Sequence, residues 1–275
     1  MIILSEYFGF KDPKRKKEVI ESIAENSTLE EVDRILLFAE RVSVQDSTLL
    51  KEIQKVEIIE SASRCRYSDL FLYANENLIG EICIVCNNDI SFTDSLSHLS
   101  RIDVEDMFIC LTRWDVQPDG SLRHKEPKQS RKHSQDSWIF RSPLPQKMID
   151  KGGIFFGRPG CDNMIAYLGV ISGLKVLNPS ELIISKHRHL SNSRNYEQNK
   201  RGTPAKDEKV GHHSLYMNVG ASDTIEYDTQ NLVYKLQQAW RPKDRVFNGE
   251  QAVVKAVELE SGLEPIWRES TDQFS

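Results

Sequence analysis

The chain lacks the glycine patterns of two common nucleotide-binding motifs. Neither Gly-x-Gly-x-x-Gly nor Gly-x-x-x-x-Gly-Lys-Ser/Thr occurs anywhere in its 275 residues. The first motif supports the diphosphate of a dinucleotide, and the second surrounds the phosphates of ATP or GTP. Their absence disfavours a dinucleotide-dependent dehydrogenase and a P-loop nucleotide hydrolase.

The chain also lacks an excess of positive charge. It has 36 Lys and Arg against 41 Asp and Glu, which gives a formal net charge of −5 at pH 7. Proteins that bind nucleic acid through its phosphates generally carry a clustered basic excess. We therefore predict no nucleic-acid partner.

Cysteines are few, and their spacing is not that of a zinc site. Cys83 and Cys86 lie within an apolar run. The odd total of five cysteines, which are Cys65, Cys83, Cys86, Cys110 and Cys161, fits reduced thiols.

The N-terminal stretch MIILSEYFGF reaches Glu6 after a short apolar start, which is neither a signal peptide nor a membrane span. We expect a cytoplasmic protein without a transmembrane segment.

Apolar runs alternate with helical patterns through the first two thirds of the chain. This alternation predicts an α/β fold with a largely parallel central sheet. Asp12 followed by Pro13 is typical of a helix start. A polar stretch over 115–134 is predicted as a loop. The predicted strands cover 2–4, 32–38, 55–60, 81–86, 107–112, 138–140, 174–177 and 182–186, and the predicted helices 13–25, 66–75 and 163–172.

The composition changes near residue 192, where a long polar stretch begins. We predict one α/β domain over residues 1–196. Residues 197–275 are predicted to be a polar linker and a small C-terminal appendage, with a helix over 229–240.

Polar side chains follow the predicted strand EICIVC. Asn87, Asn88 and Asp89 come directly after it. Ligands of parallel sheets gather at the carboxyl ends of the strands. On its own, the stretch fits a solvated turn better than a ligand site.

Three further residues have side chains suited to a metal site and its chemistry. Asp162 follows a glycine-rich turn over 157–160 and is predicted to cap a helix. His187 and His189 are two residues apart, so extended backbone places them on one face. A carboxylate and an imidazole form a partial shell for a divalent cation, and a second carboxylate outside the shell can serve as a base.

The order of these elements resembles the GT-A glycosyltransferases. The order is a strand with Asn-x-Asp, then Gly-Cys-Asp-Asn opening a helix, then a strand with His-x-His. The stretches NNDISF, LTRWD, SQDSWIF, GRPGCDN, LNPS and HRHLSNSRNY are similar to a group of bacterial and large-DNA-virus proteins assigned as glycosyltransferases. The resemblance covers about residues 1–196.

The resemblance implies a GT-A-like, Rossmann-like fold that transfers a sugar from a nucleotide-sugar donor to a glycan or another hydroxyl acceptor. It further implies inversion and dependence on Mn²⁺ or Mg²⁺. Asp89, with His187 or His189, stands where such enzymes hold the metal, and Asp162 where inverting enzymes carry the base. The implied donor-binding residues are Arg64, Tyr67, Asn87, Asn88, Asp89 and Arg194.

The residue types agree with the requirements of sugar transfer. A departing diphosphate develops negative charge, which a divalent cation stabilises, and the acceptor hydroxyl must lose a proton to a base. Asp136 either orients the acceptor or fastens its loop, and it is the alternative base. Trp114 and Trp138 either stack on a sugar or belong to the core.

Two other functions remain open from the sequence. One is a metal-dependent phosphoesterase or nuclease that uses Asp89, Asp162 and the histidine pair, typically with two metals. The other is a non-catalytic module that binds a nucleotide sugar, in which Asn87 marks a decayed metal site.

Overall fold

A mixed sheet lies at the centre of the computed structural model, which describes residues 1–40, 42–124, 135–157, 161–191, 225–228 and 233–236. Within these residues it has seven strands, in the order β10-β6-β9-β4-β1-β2-β3. The strands are β1 (Ile2–Tyr7), β2 (Arg34–Ala39), β3 (Val56–Glu60), β4 (Ile82–Cys86), β6 (Met107–Thr112), β9 (Gln135–Arg141) and β10 (Lys175–Leu177).

The sheet is mostly parallel, as the alternating pattern predicts. Strand β1 pairs in parallel with β2 and β4, β2 with β3, and β6 with β10. Strand β9 is inserted between β4 and β6 and runs antiparallel to both. The α/β class and the mostly parallel sheet are therefore confirmed.

Helices cover both faces of the sheet, which explains why the central strands are apolar on both sides. Apolar residues of α3 and α5 belong to the core on one face, and those of α1 and α2 to the core on the other. The helices are α1 (Pro13–Thr28), α2 (Val44–Lys51), α3 (Tyr67–Asn77), α4 (Gln146–Lys151) and α5 (Cys161–Ile171), and a 3₁₀ helix covers Asp94–Arg101.

A second, smaller sheet stands beyond the carboxyl end of β4. In the described chain it has the strand order β5-β11-β7-β8. Strand β8 and most of β7 fall within the stretch predicted as a loop. They were not predicted as strands because two or three residues are too few to show an alternating pattern. The strands are β5 (Ile90–Phe92), β7 (Trp114–Val116), β8 (Leu122–Arg123) and β11 (Ser185–His187).

Two predictions of local structure require correction. Helix α5 begins at Cys161, so Asp162 lies in its first turn and is not the N-cap. The helix predicted over 229–240 is wrong where the chain is described, because Val233–Leu236 is a strand that pairs antiparallel with Ile225–Asp228. The predicted domain boundary at 196 lies outside the described residues. None of the described helices combines the length and apolar character needed to cross a bilayer.

Asn26 fastens α1 to the small sheet. Its buried amide donates to the carbonyl of Ile90 at 2.9 Å and accepts from the N–H of Phe92 at 2.9 Å. These two bonds hold β5 directly after the turn at Asp89. The amide therefore sets the position of that turn relative to the helix.

We expect Asn26→Ala to lower the free energy of unfolding by about 2 kcal/mol or more, because each buried backbone group left without its partner costs about 1–3 kcal/mol. Urea denaturation measures the change. Asn77→Ala is the control, since exposed Asn77 donates to the carbonyl of Tyr73 within its own helix. Equal stability of the two variants would contradict the anchoring role.

Candidate functional site

Asp89 is a buried carboxylate at the point where the chain leaves β4 and enters β5. One of its oxygens, Oδ2, receives the guanidinium of Arg15 and lies 3.1 Å from Nε2 of His187 and 3.8 Å from Nδ1 of His189. The other oxygen, Oδ1, is buried and has no hydrogen-bond partner within the described part of the chain. Three nitrogen-bearing groups thus converge on one carboxylate.

The charge of Asp89 is set by two opposing effects. Burial alone would raise the pKa of this carboxyl group, but His187 and Arg15 more than offset it and hold the pKa well below its usual range. Asp89 is therefore a carboxylate at neutral pH. An ionised carboxylate is the form that ligates a divalent cation.

The pairing of β11 with β5 brings the two histidines to Asp89. His187 lies opposite Ile90 in that pairing, and the N–H of Arg188 donates to the backbone carbonyl of Asp89 at 3.0 Å. Because side chains alternate along extended backbone, His187 and His189 both turn towards the carboxylate. Their ring centroids are 5.5 Å apart, so the predicted shared face is confirmed.

Asp115 orients the ring of His187, a role that the sequence analysis missed. Strand β7 pairs with β11 so that Asp115 lies opposite His187, and Oδ1 of Asp115 is 2.7 Å from Nδ1 of the ring. Burial lowers the pKa of His187, but Asp89 and Asp115 outweigh it and raise the pKa. A carboxylate on the outer nitrogen is typical of metal-binding histidines, because it directs the other nitrogen towards the ion.

A line of ion pairs continues from Asp115 to Asp136. Arg113 lies 3.2 Å from Asp115 and donates to Oδ2 of Asp136 at 2.6 Å. Burial lowers the pKa of Arg113, yet Asp136 and Asp115 raise it above its usual range. The amide of Asn87 donates to Oδ1 of Asp136 at 2.8 Å. Both oxygens of Asp136 are therefore engaged, and the line ends two residues before Asp89.

Three side chains form a candidate metal site. Ligand atoms from Asp89, His187 and His189 all lie within 4.8 Å of one another. Imidazole suits transition metals, and carboxylate suits Mn²⁺ and Mg²⁺. The partnerless Oδ1 of Asp89 is a further buried atom that a cation would satisfy. This donor set fits Mn²⁺ better than Mg²⁺, which prefers oxygen ligands.

Asp162, in the first turn of α5, and Asp136 both act electrostatically on Cys161 and Tyr67. Burial raises the pKa of the Cys161 thiol to about 12, and the charges of Asp162 and Asp136 add to that effect. Both carboxylates also raise the pKa of Tyr67, in addition to the larger effect of its burial. The two candidate bases therefore influence the same two buried groups.

The remaining predicted site residues divide between the polar surface and the core. Arg64 contacts Glu6 at 3.2 Å, and the amide of Asn88 donates to the backbone carbonyl of Glu6 at 3.1 Å. Tyr67 and Trp138 are fully buried and meet edge to face at 4.9 Å. Neither ring presents a face to a ligand, so the structure favours the core alternative for Trp138 and gives Tyr67 the same place.

Trp114 and Arg194 are the other two residues predicted to bind a ligand. Trp114 donates through Nε1 to the carbonyl of Ser180 at 2.8 Å and packs its ring on His124, with centroids 3.7 Å apart. These contacts fix its indole beside β8. Arg194 lies outside the described residues.

No protein-family model matches the sequence. No curated protein sequence matches it either. One similar solved structure is a mannosyltransferase from Pyrobaculum calidifontis in complex with GDP-Man and Mn²⁺. Its TM-score is 0.44 and its identity 10%, over 70% of this chain and 58% of the mannosyltransferase. Another is HddC from Yersinia pseudotuberculosis, with a TM-score of 0.33 and 15% identity, over 54% of this chain and 79% of HddC. At TM-scores this low, neither likeness assigns a fold or an activity to this chain.

We expect Asp115→Asn to weaken Mn²⁺ binding by about 10- to 100-fold, the range seen when the partner of a metal-binding histidine is removed. Titration of Mn²⁺ followed by electron paramagnetic resonance measures the affinity. Asp119→Asn is the matched control, because exposed Asp119 bonds to Ser121 within the turn before β8. Parent-like affinity in Asp115→Asn would show that this carboxylate does not support a metal ligand.

Proposed function

We propose that the protein is a metal-dependent glycosyltransferase that moves a sugar from a nucleotide-sugar donor to a hydroxyl of a glycan or similar acceptor, with inversion. The observation that supports it is the convergence of Asp89, His187 and His189 beyond the carboxyl end of β4. Asp136 and Asp162 are the two candidate bases. Sugar transfer needs a cation for the departing diphosphate and a carboxylate that takes the proton of the acceptor hydroxyl.

Asp89, His187 and His189 would hold the cation. When bound, Mn²⁺ or Mg²⁺ balances the negative charge that develops on a departing diphosphate. Asp89 supplies an ionised oxygen, and Asp115 keeps Nε2 of His187 directed at the same place. The protein thus orients its ligands before the donor arrives, which lowers the cost of ordering them.

We place the nucleotide of the donor beside the carboxyl ends of β1 and β4. Arg64 and Asn88 both contact Glu6, which lies near the end of β1, and Asn87 and Asn88 follow β4. The amides offer both donors and acceptors to a ribose or a base. Arg64 offers a positive charge to the phosphates.

Asp162 is the base in this proposal, and Asp136 positions the acceptor. Both oxygens of Asp136 already accept bonds from Asn87 and Arg113, so it is oriented and charge-balanced. Asp162 stands in the first turn of α5, where the partial positive charge of the helix end favours its ionised form. We therefore assign Asp162 as the carboxylate that accepts the proton of the acceptor hydroxyl.

A two-metal phosphoesterase has less support from these contacts. Such an enzyme holds two ions about 3.5–4 Å apart with a denser set of ligands. Throughout the described residues, one group of three metal-ligating side chains occurs, and it offers one carboxylate. A single-ion site agrees better with phosphate stabilisation during group transfer.

Release of nucleoside diphosphate from a panel of nucleotide sugars in the presence of Mn²⁺ tests the activity. A matching thermal-shift series with UDP, GDP and CMP identifies the donor, since a ligand that binds the folded state raises the melting temperature. Asp89→Asn is the control variant, because it removes the charge and keeps the shape. Turnover of simple phosphodiesters would support a phosphoesterase, and binding without turnover a non-catalytic module.

We expect Asp162→Asn to lower the transfer rate by about 100-fold or more, since a positioned base contributes about 10²–10⁴. Its nucleotide affinity stays at the parent's value, and its stability falls by at most about 1 kcal/mol, the usual worth of a charge at a helix end.

Asp69→Asn is the matched control, because exposed Asp69 occupies the first turn of α3. It should turn over like the parent. Near-parent turnover in Asp162→Asn would remove Asp162 from catalysis and leave Asp136 as the candidate base.

A further inference from the structure

Arg15 on α1 is placed against the candidate metal site. Its side chain and that of Asp89 are each 8% exposed, and the guanidinium Nη2 donates to Oδ2 of Asp89. Its other terminal nitrogen, Nη1, lies 3.0 Å from Glu18 and donates to the backbone carbonyl of Arg188 at 2.8 Å. Three partners therefore fix the guanidinium at the carboxylate that a metal would use.

The charge of Arg15 opposes that of a metal ion. A guanidinium remains protonated in proteins, so its positive charge cannot be discharged to make room for a cation. A divalent ion on Asp89 would lie within a few ångströms of this charge in a buried setting, where repulsion between like charges is strong. Moreover, Arg15, His187 and His189 all approach Oδ2 of Asp89. A cation held by the two histidines lies on the Oδ2 side of the carboxylate, so it competes with Arg15 for that oxygen, while Oδ1 remains as a second ligand atom.

We propose that Arg15 is a built-in competitor of the divalent cation, and that it holds the affinity of the ligand-free protein for metal low. The inference rests on the metal site of the proposed function and adds a control on its occupancy. The positive charge of Arg15 is balanced by Asp89 and Glu18 when the site holds no cation. Entry of a cation requires the guanidinium to give up its bond to Asp89.

A purely structural ion pair would behave differently from a competitor. Glu18, which holds Arg15, also accepts from the backbone N–H groups of Leu190 and Ser191 at 3.0 and 2.7 Å. If Arg15 served only to fasten this segment, its loss would loosen the histidines and weaken metal binding. Competition predicts the opposite sign, because loss of the positive charge leaves Asp89 available to the metal.

The test is Mn²⁺ binding to the full chain without nucleotide, followed by electron paramagnetic resonance. We expect Arg15→Gln to bind Mn²⁺ about tenfold or more tightly than the parent, as removal of a nearby like charge requires. Lys14→Gln is the matched control, since it removes the same charge from an exposed neighbouring position on α1. Its affinity should equal the parent's.

Thermal unfolding is a second measurement of the competition between Arg15 and Mn²⁺. Without metal, Arg15→Gln should melt below the parent, because Asp89 and Glu18 lose a partner. Added Mn²⁺ should then raise its melting temperature by more than it raises the parent's, since tighter binding gives greater stabilisation. If the Gln variant does not fold, Arg15→Met replaces it, because Met has similar reach, no charge and a better fit to a buried position.

Tighter Mn²⁺ binding in the uncharged variant supports competition. Affinity equal to or weaker than the parent's overturns competition and leaves the proposed transferase intact, since the metal site persists. Absence of Mn²⁺ binding in both the parent and the variant overturns competition together with the metal site. Donor turnover without Mn²⁺ is measured separately, so the two failures are distinguishable.

Discussion

The buried charge of Asp89 is the constraint on which the polar architecture of this end of the molecule depends. A carboxylate out of contact with water is costly unless positive charge and hydrogen bonds compensate it. Here the compensation comes from distant parts of the chain, namely Arg15 on α1 and the two histidines at the end of β11. The fold must therefore bring these segments together before the charge is tolerated.

Helix α1 is the element that meets this requirement. Its apolar face packs on the central sheet, while Asn26 holds β5 and Glu18 accepts the N–H groups of residues 190 and 191. Glu25 receives Lys186 at 2.7 Å and Ser91 at 2.6 Å, which joins the two strands that flank the site. One helix thus stabilises the central sheet and fixes the geometry of the histidines, so the stability of the domain and the shape of the site are linked.

The sequence predicted the parts of the structure that repeat over many residues. The long strands of the central sheet and helices α1, α3 and α5 show apolar periodicity, and they were predicted within a few residues of their bounds. Asp89 and the histidines were found because they follow such elements directly. Asp115 was missed because its role comes from the pairing of two three-residue strands, which leave no periodic pattern.

Arg15 was missed for a related reason. In the sequence it is one of several basic residues at the start of a helix, where a charged side chain is normally solvated. Only the packing of α1 against β5 and β11 shows that this particular guanidinium is buried. Likewise, the aromatic character of Trp138 fits both a sugar platform and a core residue, and its position in the centre of the sheet distinguishes the two. Contacts between segments distant in sequence therefore determine whether such a residue is buried, which the local sequence pattern cannot show.

The polar contacts also form a nearly closed path in which acidic and basic side chains alternate, and His187 carries a positive charge only when it is protonated. It runs from Asp89 through His187 and Asp115 to Arg113 and Asp136, and Asn87 joins Asp136 to the residues just before Asp89. In such a path, deletion of one member leaves a buried neighbour unpaired, at a cost of about 3–5 kcal/mol. Truncation of any one side chain therefore changes the free energy of unfolding through its neighbours in the path as well. For the same reason, the changes caused by two truncations do not add. Replacements such as Asp to Asn remove the charge and keep the shape and packing of the side chain, so they separate chemistry from folding at this site.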